Sequence, residues 1–233
     1  MTDTHLKIGI VLFEGVTSLD ALAPFEVLAR TPNSTCDLVA ESTAPLRGDT
    51  GLVLTPHQSF AGAPQYDVIM VPGGPGQNDA IGNDVLLDFL RRQAAGAQWV
   101  TSVCTGSLLL AAAGLLDGHR ATCHWLSLDY LRFFPVDVVP DRVVVDRNRV
   151  TGGGVTSGLD FAFVLLSLLR GEETARRLQL LMEYDPAPPF RSGHPSVAEP
   201  HTVAAVRQMA AGMLAQREAT ARAAAARRAA VGV

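Results

Sequence analysis

Three short runs constrain the fold more than any other feature of the sequence: Lys7-Ile-Gly-Ile-Val-Leu-Phe13, Tyr66-Asp-Val-Ile-Met-Val-Pro72 and Gln98-Trp-Val-Thr-Ser-Val103. Each is nearly continuously apolar, and a strand of that kind must be covered on both faces, as in a parallel sheet. Parallel neighbours need crossover connections, and helix-like segments lie between the runs. Pro24 to Arg30 opens on a proline, which suits a first helical position, and Asn83 to Gly96 repeats Val85, Leu86, Phe89 and Leu90 at helical spacing. The alternation implies an α/β fold, a doubly wound and mostly parallel sheet sandwiched by helices.

Shorter β-like pieces occupy Cys36 to Glu41, Gly51 to Thr55 and Asp141 to Val145, the last reading as a hairpin into Val150-Thr-Gly-Gly-Gly154. Thr156 can cap a helix running to about Leu169, Gly171 stops it, and a second helix follows from Glu172 to about Tyr184. Pro186, Pro188, Pro189 and Pro195 then forbid regular structure. These signals divide the chain into a domain over 1–200 and an alanine- and arginine-rich helical extension over 201–233. In the extension Val203, Val206, Met209 and Met213 share one helical face, so it is expected to pack on the domain or on a second subunit, with its arginines facing solvent.

The formal charge of −4, with no basic block outside the tail, argues against nucleic acid as a partner. Three widely spaced cysteines, Cys36, Cys104 and Cys123, form neither a disulfide framework nor a zinc pattern and suit a reducing compartment. The start, Met1-Thr-Asp-Thr-His-Leu-Lys7, lacks an apolar signal core. The apolar stretch from Leu108 to Leu116 falls short of the ~20 residues a membrane span needs. A soluble cytoplasmic protein without membrane or metal is the expectation.

The chemistry is concentrated where the third run ends. Ser102-Val-Cys104-Thr-Gly106 joins a strand to a helix, and small residues two before and two after the cysteine fit a sharp turn that lifts its side chain above the sheet. The start of the next helix would favour thiolate there and lower the pKa of Cys104. Gly73 and Gly74 after the second run, with Thr105, can turn backbone N–H groups toward a substrate as an oxyanion-type hole. Asp20 follows the first run in an apolar setting, Val16-Thr-Ser-Leu-Asp20-Ala-Leu-Ala. Loops after parallel strands gather at one crevice, which brings Asp20, Gly73, Gly74 and Cys104 together. His124, in Ala-Thr-Cys-His124-Trp125, can serve as the base of a Cys/His pair or simply pack in the core.

The elbow at Cys104, Val71-Pro-Gly-Gly74, Ala121-Thr-Cys-His-Trp125 and Thr151-Gly-Gly-Gly154 together resemble the ThiJ/PfpI superfamily, over about residues 7–190. The resemblance implies the flavodoxin-like fold of class I glutamine amidotransferases. Leu19-Asp20, Thr101-Ser-Val-Cys-Thr-Gly-Ser107, Thr151-Gly-Gly-Gly-Val-Thr-Ser-Gly158 and Glu183-Tyr-Asp-Pro-Ala-Pro-Pro-Phe190 are most similar to its isonitrile-hydrating branch. That branch implies conversion of a small-molecule isonitrile to the N-substituted formamide by a homodimer, with no cofactor and no metal. Its functional positions match Cys104, Asp20 and Thr105. Many superfamily members carry glutamate where this chain has Asp20.

Two features depart from the pattern, Cys123 and the extension beyond Pro200, and both are expected to leave the active site untouched. Bottom-up, Cys104 thiolate would attack the isonitrile carbon while protonated Asp20 supplies the proton, and water activated by Asp20 would then displace sulfur. Direct attack by Asp20-activated water is the other route. The alternatives are a glyoxal-type aldehyde enzyme using Cys104 and His124, or a ligand-sensing or redox-stress module. A transcriptional regulator ranks lower, because the roughly thirty residues after Pro200 are too few for a helix-turn-helix domain.

Overall fold

A computed structural model describes residues 4–231, so Met1 to Asp3 of the amino-terminal stretch read above lie outside the described residues. The strands are β1 (Leu6–Val11), β2 (Ser34–Ala40), β3 (Leu46–Arg47), β4 (Val53–Leu54), β5 (Gln58–Ser59), β6 (Val68–Val71), β7 (Trp99–Val103), β8 (Arg120–Ala121), β9 (Asp137–Val138), β10 (Val143–Asp146) and β11 (Arg149–Gly152). The helices are α1 (Ser18–Leu28), α2 (Gln77–Ala80), α3 (Asp84–Gly96), α4 (Gly106–Ala112), α5 (Leu128–Leu131), α6 (Ser157–Arg170), α7 (Glu172–Leu181), α8 (Pro200–Met209) and α9 (Ala211–Val231).

Seven strands form one sheet in the order β10-β11-β7-β6-β1-β2-β5, parallel throughout except for the β10–β11 hairpin. The three apolar runs are its centre. Every residue of β6 is buried, as are Ile8, Ile10 and Val11 of β1 and Val100 and Val103 of β7. Helices α1, α6 and α7 pack as one group, and α2, α3, α4, α5 and α9 as another, and together they flank the sheet. Among the described residues no helix is long and apolar enough to cross a membrane.

Several expectations shift. Helix α1 begins at Ser18, so Pro24 lies inside it and not at its start. A proline at 24 offers no N–H to the carbonyl of Asp20, and its ring instead packs where Gly158 of α6 lets the two helices approach. Asn83 caps α3 through its side chain, accepting from Leu86 N at 3.2 Å. Thr156 sits at the start of α6 without making a cap bond, and Gly171, at φ 88°, separates α6 from α7. The piece expected over Gly51 to Thr55 is only the two-residue β4, paired with β3 outside the main sheet.

The tail differs most. It is two helices, and Met209, expected to face inward, is 86% exposed. The buried face of α9 is Leu214, Arg217, Ala221 and Ala224, which repeat at helical spacing against α2, α4 and α5. Arg207 of α8 stacks over Trp125 at 5.1 Å and Arg222 of α9 over Phe133 at 4.1 Å.

Register brings the loops after β1, β6 and β7 to one end of the sheet, since β1 pairs with β6 and β6 with β7. The approach there leaves no room for side chains. A methyl group on Gly106 would lie 2.0 Å from the backbone oxygen of Val71. Because both sides of that contact are backbone, Gly106→Ala is expected to lower stability by about 1–3 kcal/mol, read as a lower denaturation midpoint with unchanged m-value.

Candidate active site

Cys104 stands between β7 and α4 with φ 58°, a conformation rarely adopted by residues other than glycine and costing about 1–3 kcal/mol. The turn is held by its own backbone: Cys104 N donates to the carbonyls of Gly152 and Gly153 at 3.0 and 2.8 Å. Beneath it the Ser102 and Ser107 hydroxyls lie 2.8 Å apart, and Ser107 donates to the Thr122 carbonyl at 2.6 Å. Gly73 gives the elbow space, since a Cβ there would come within 2.9 Å of Cys104 Cβ and 2.4 Å of Thr105 N.

Asp20, in the first turn of α1, has no exposed surface. Gly73 N donates to its Oδ2 at 3.2 Å, and among the described residues Oδ1 takes no conventional hydrogen bond. The neighbouring Cys104 thiol acts on the carboxyl as a hydrogen-bond donor. Burial pushes the Asp20 pKa up to about 7, against the opposing influence of Cys104 and the Gly73 N–H, while the Asp49 charge adds to the rise.

The expected low-pKa thiolate is corrected. Cys104 is 4% exposed, and burial, followed by the negative charge of Asp20, holds its thiol well above the ordinary value. The Thr105 backbone N–H draws it down in part. Helix α4 has only seven residues, too short a dipole to outweigh that desolvation. The resting pair is therefore a thiol beside a carboxyl group that is half ionised near neutrality.

The Gly73 and Gly74 amides, expected to be open to a substrate, are both engaged: Gly73 N on Asp20 and Gly74 N on Thr105 Oγ1 at 3.0 Å. They position the carboxyl and the Thr105 side chain. His124 lines the same cavity as Cys104, fitting over Gly154, where a Cβ would collide with its ring. The Cys/His reading finds no support, because among the described residues no hydrogen bond joins His124 to Cys104. The imidazole Nδ1 instead accepts from Leu126 N at 3.3 Å. Burial, then the charge of Arg217, pulls the His124 pKa down to about 4, so the ring is neutral and a weak base.

The cavity above the sulfur measures about 180 Å³ and is also lined by Thr17, Asp49, Thr105, Val155, Met213 and Arg217. Thr17 Oγ1 donates to Asp49 Oδ2 at 2.6 Å at its rim. Met213 and Arg217 come from α9, so the extension expected to leave the site untouched forms part of its wall. An arginine in an alanine-rich tail carries no sequence signal distinguishing it from a solvated one. Among the described residues no group of three His, Cys, Asp or Glu side chains is placed to hold a metal ion.

Comparison with known proteins places these residues in context. Residues 6–168 match the DJ-1/PfpI family. The chain is 49% identical over 221 residues to an isonitrile hydratase of Pseudomonas putida, covering 94% of this chain and 97% of that one. It is 31% identical over 187 residues to the HTH-type transcriptional regulator GbdR of Pseudomonas aeruginosa, covering 77% of this chain and 51% of the regulator. Among solved structures, a ThiJ/PfpI family protein from Pseudomonas syringae superposes with a TM-score of 0.91 at 37% identity, covering 93% of this chain and 90% of the other.

The Asp20 carboxyl has a consequence for stability. Its pKa rises from 3.8 unfolded to about 7 folded, so the native state binds the extra proton and stability is lost as pH rises through that interval. Below about pH 4 both states are protonated and the penalty vanishes. Asp20→Asn is therefore expected to be more stable than the parent at pH 8, by a margin on the order of a few kcal/mol at most, and equal to it at pH 4. Thermal unfolding at the two pH values measures this.

Proposed function

The chain belongs to the DJ-1/PfpI family, and from that premise we infer that it is an isonitrile hydratase, converting R–N≡C and water to the N-substituted formamide. The observation that carries the reading is a buried thiol beside a buried carboxyl group, in a chain matched nearly end to end by a curated hydratase.

The reaction requires one carbon to gain both a proton and a nucleophile. In the form carrying a single proton between the two groups, Asp20 carboxylate accepts the thiol proton as the sulfur attacks. It then delivers that proton to the isonitrile carbon, giving the thioimidate R–N=CH–S–Cys104. Water then adds to this carbon, its proton passing through Asp20 to nitrogen, and collapse of the tetrahedral species expels sulfur, which recovers its proton and releases R–NH–CHO. Neither step draws on a cofactor or metal. The Thr105 N–H faces the sulfur and stabilises it whenever it is anionic, and Thr105 Oγ1 fixes the Gly74 turn. Neutral His124 forms part of the cavity wall, its Nδ1 occupied by the Leu126 N–H. The reading carries with it a homodimer working in the cytoplasm.

Because the active form of the pair holds one proton, kcat/KM should fall as pH drops through about 7, where Asp20 takes up a second. Purified protein incubated with cyclohexyl isocyanide is expected to yield N-cyclohexylformamide. Cys104→Ala should reduce turnover to background, and Asp20→Asn should reduce it at least ~10²-fold. Formamide production by Cys104→Ala at the parental rate would replace the covalent route with direct attack by Asp20-activated water. No formamide, with lactate formed from methylglyoxal, would overturn the reading in favour of an aldehyde substrate. Light scattering at twice the mass of the chain tests the dimer.

A further inference from the structure

Arg217 is 3% exposed, and everything its guanidinium touches is neutral. Nε donates to Asn78 Oδ1 at 3.0 Å, Nη1 to Ser127 Oγ at 3.0 Å, and Nη2 to the Gly74 carbonyl at 3.4 Å, with Met213 Sδ 3.5 Å away. Among the described residues no carboxylate forms an ion pair with it. A guanidinium keeps its proton even when burial lowers its pKa, so this is a permanent charge held almost out of solvent with neutral hydrogen-bond partners and, among the described residues, no carboxylate opposite it.

Docking of α9 does not account for it. The helix is already held by Arg222 over Phe133, Arg227 Nη2 on the Ile81 carbonyl at 3.2 Å, and Arg228 on Asp117 at 3.0 Å, with alanines 221 and 224 closing the contact. What Arg217 does face is the cavity of Cys104. The titratable groups around it are Cys104, Cys123, His124 and Tyr130, with Asp20 and Asp49 also facing the sulfur side. His124 is neutral, and burial holds Cys123 up to about 12 and Tyr130 above its ordinary value, so neither ionises near neutrality. Cys104 is the group there whose chemistry passes through an anion.

We propose that Arg217 is a positioning residue of the active site. It holds the Gly74 turn through that carbonyl and supplies the counter-charge for the Cys104 thiolate as it forms in attack and as it leaves the tetrahedral intermediate. The inference deepens the proposed reaction, but its test reads the sulfur alone and so stands or falls separately from turnover.

The rate of iodoacetamide alkylation at Cys104, followed by peptide mass spectrometry against pH, compares four full-length proteins. Arg217→Gln, neutral and still able to hydrogen-bond, is expected to lose about tenfold in rate at pH 8, the equivalent of one pKa unit, with its profile displaced to higher pH and its melting temperature maintained. Arg217→Lys, which keeps the charge, should stay within about threefold of the parent, as a small part of such a unit. Asp117→Asn, which loosens α9 far from the sulfur, should match the parent. A folded Arg217→Gln protein alkylated at the parental rate overturns the proposal. Equal losses in Arg217→Gln and Asp117→Asn also overturn it, by reducing the arginine to a helix anchor. Should Arg217→Gln fail to fold, Arg217→Lys decides: the parental profile supports the proposal, and a tenfold loss in the folded protein contradicts it.

Discussion

The structure turns on the burial of one carboxyl group against one thiol. Asp20 lies in the first turn of α1 after β1 and Cys104 at the turn after β7, and the close approach of β1, β6 and β7 removes water from both. Desolvation raises both pKa values, so each group is held neutral more readily than in water. The glycines at 73 and 106 make that approach possible, and the positive φ at Cys104 aims the sulfur into it. A carboxyl group buried with one unbonded oxygen destabilises the fold, and the large apolar core offsets that cost.

This arrangement differs from the usual picture of a reactive cysteine. An exposed thiol at the start of a long helix is activated by standing ionised. Here the helix is short, the thiol is nearly buried at the wall of a small cavity, and the carboxyl beside it is negative when ionised. Reactivity then comes from moving a proton within a pair while substrate adds, which suits a reaction whose carbon must receive a proton and a nucleophile together. A cation fixed across the cavity lowers the barrier to that separation without ionising the resting thiol, and the neutral His124 leaves the proton with Asp20.

Much of this was legible in the sequence because it rests on local signals. The continuous apolar runs gave β1, β6 and β7, the small residues flanking Cys104 gave the elbow, and an aspartate in an apolar stretch after the first run gave Asp20. What escaped depended on three-dimensional environment. The start of α1 was hidden by Pro24, whose ring is accommodated by a distant glycine on α6. The amides of Gly73 and Gly74 were read as open to a substrate, but their acceptors, Asp20 and Thr105, come from other elements. Thiol ionisation could not be judged from helix position, since burial set its direction. Arg217 was concealed by composition: in an alanine-rich helix the apolar stripe that marks an inward face is weak, and Val206 and Met209 mimicked one while facing outward.

The most direct test follows the carboxyl itself. Carbon-13 NMR of protein labelled at aspartate carboxyl carbons, with the Asp20 signal assigned by its loss in Asp20→Asn, gives the titration of that group in place. A buried carboxyl accepting a hydrogen bond from the thiol should titrate near 7 and move higher in Cys104→Ala, where that bond is gone. A titration near 4, unchanged by Cys104→Ala, would contradict both the burial of the pair and the proton it is held to share.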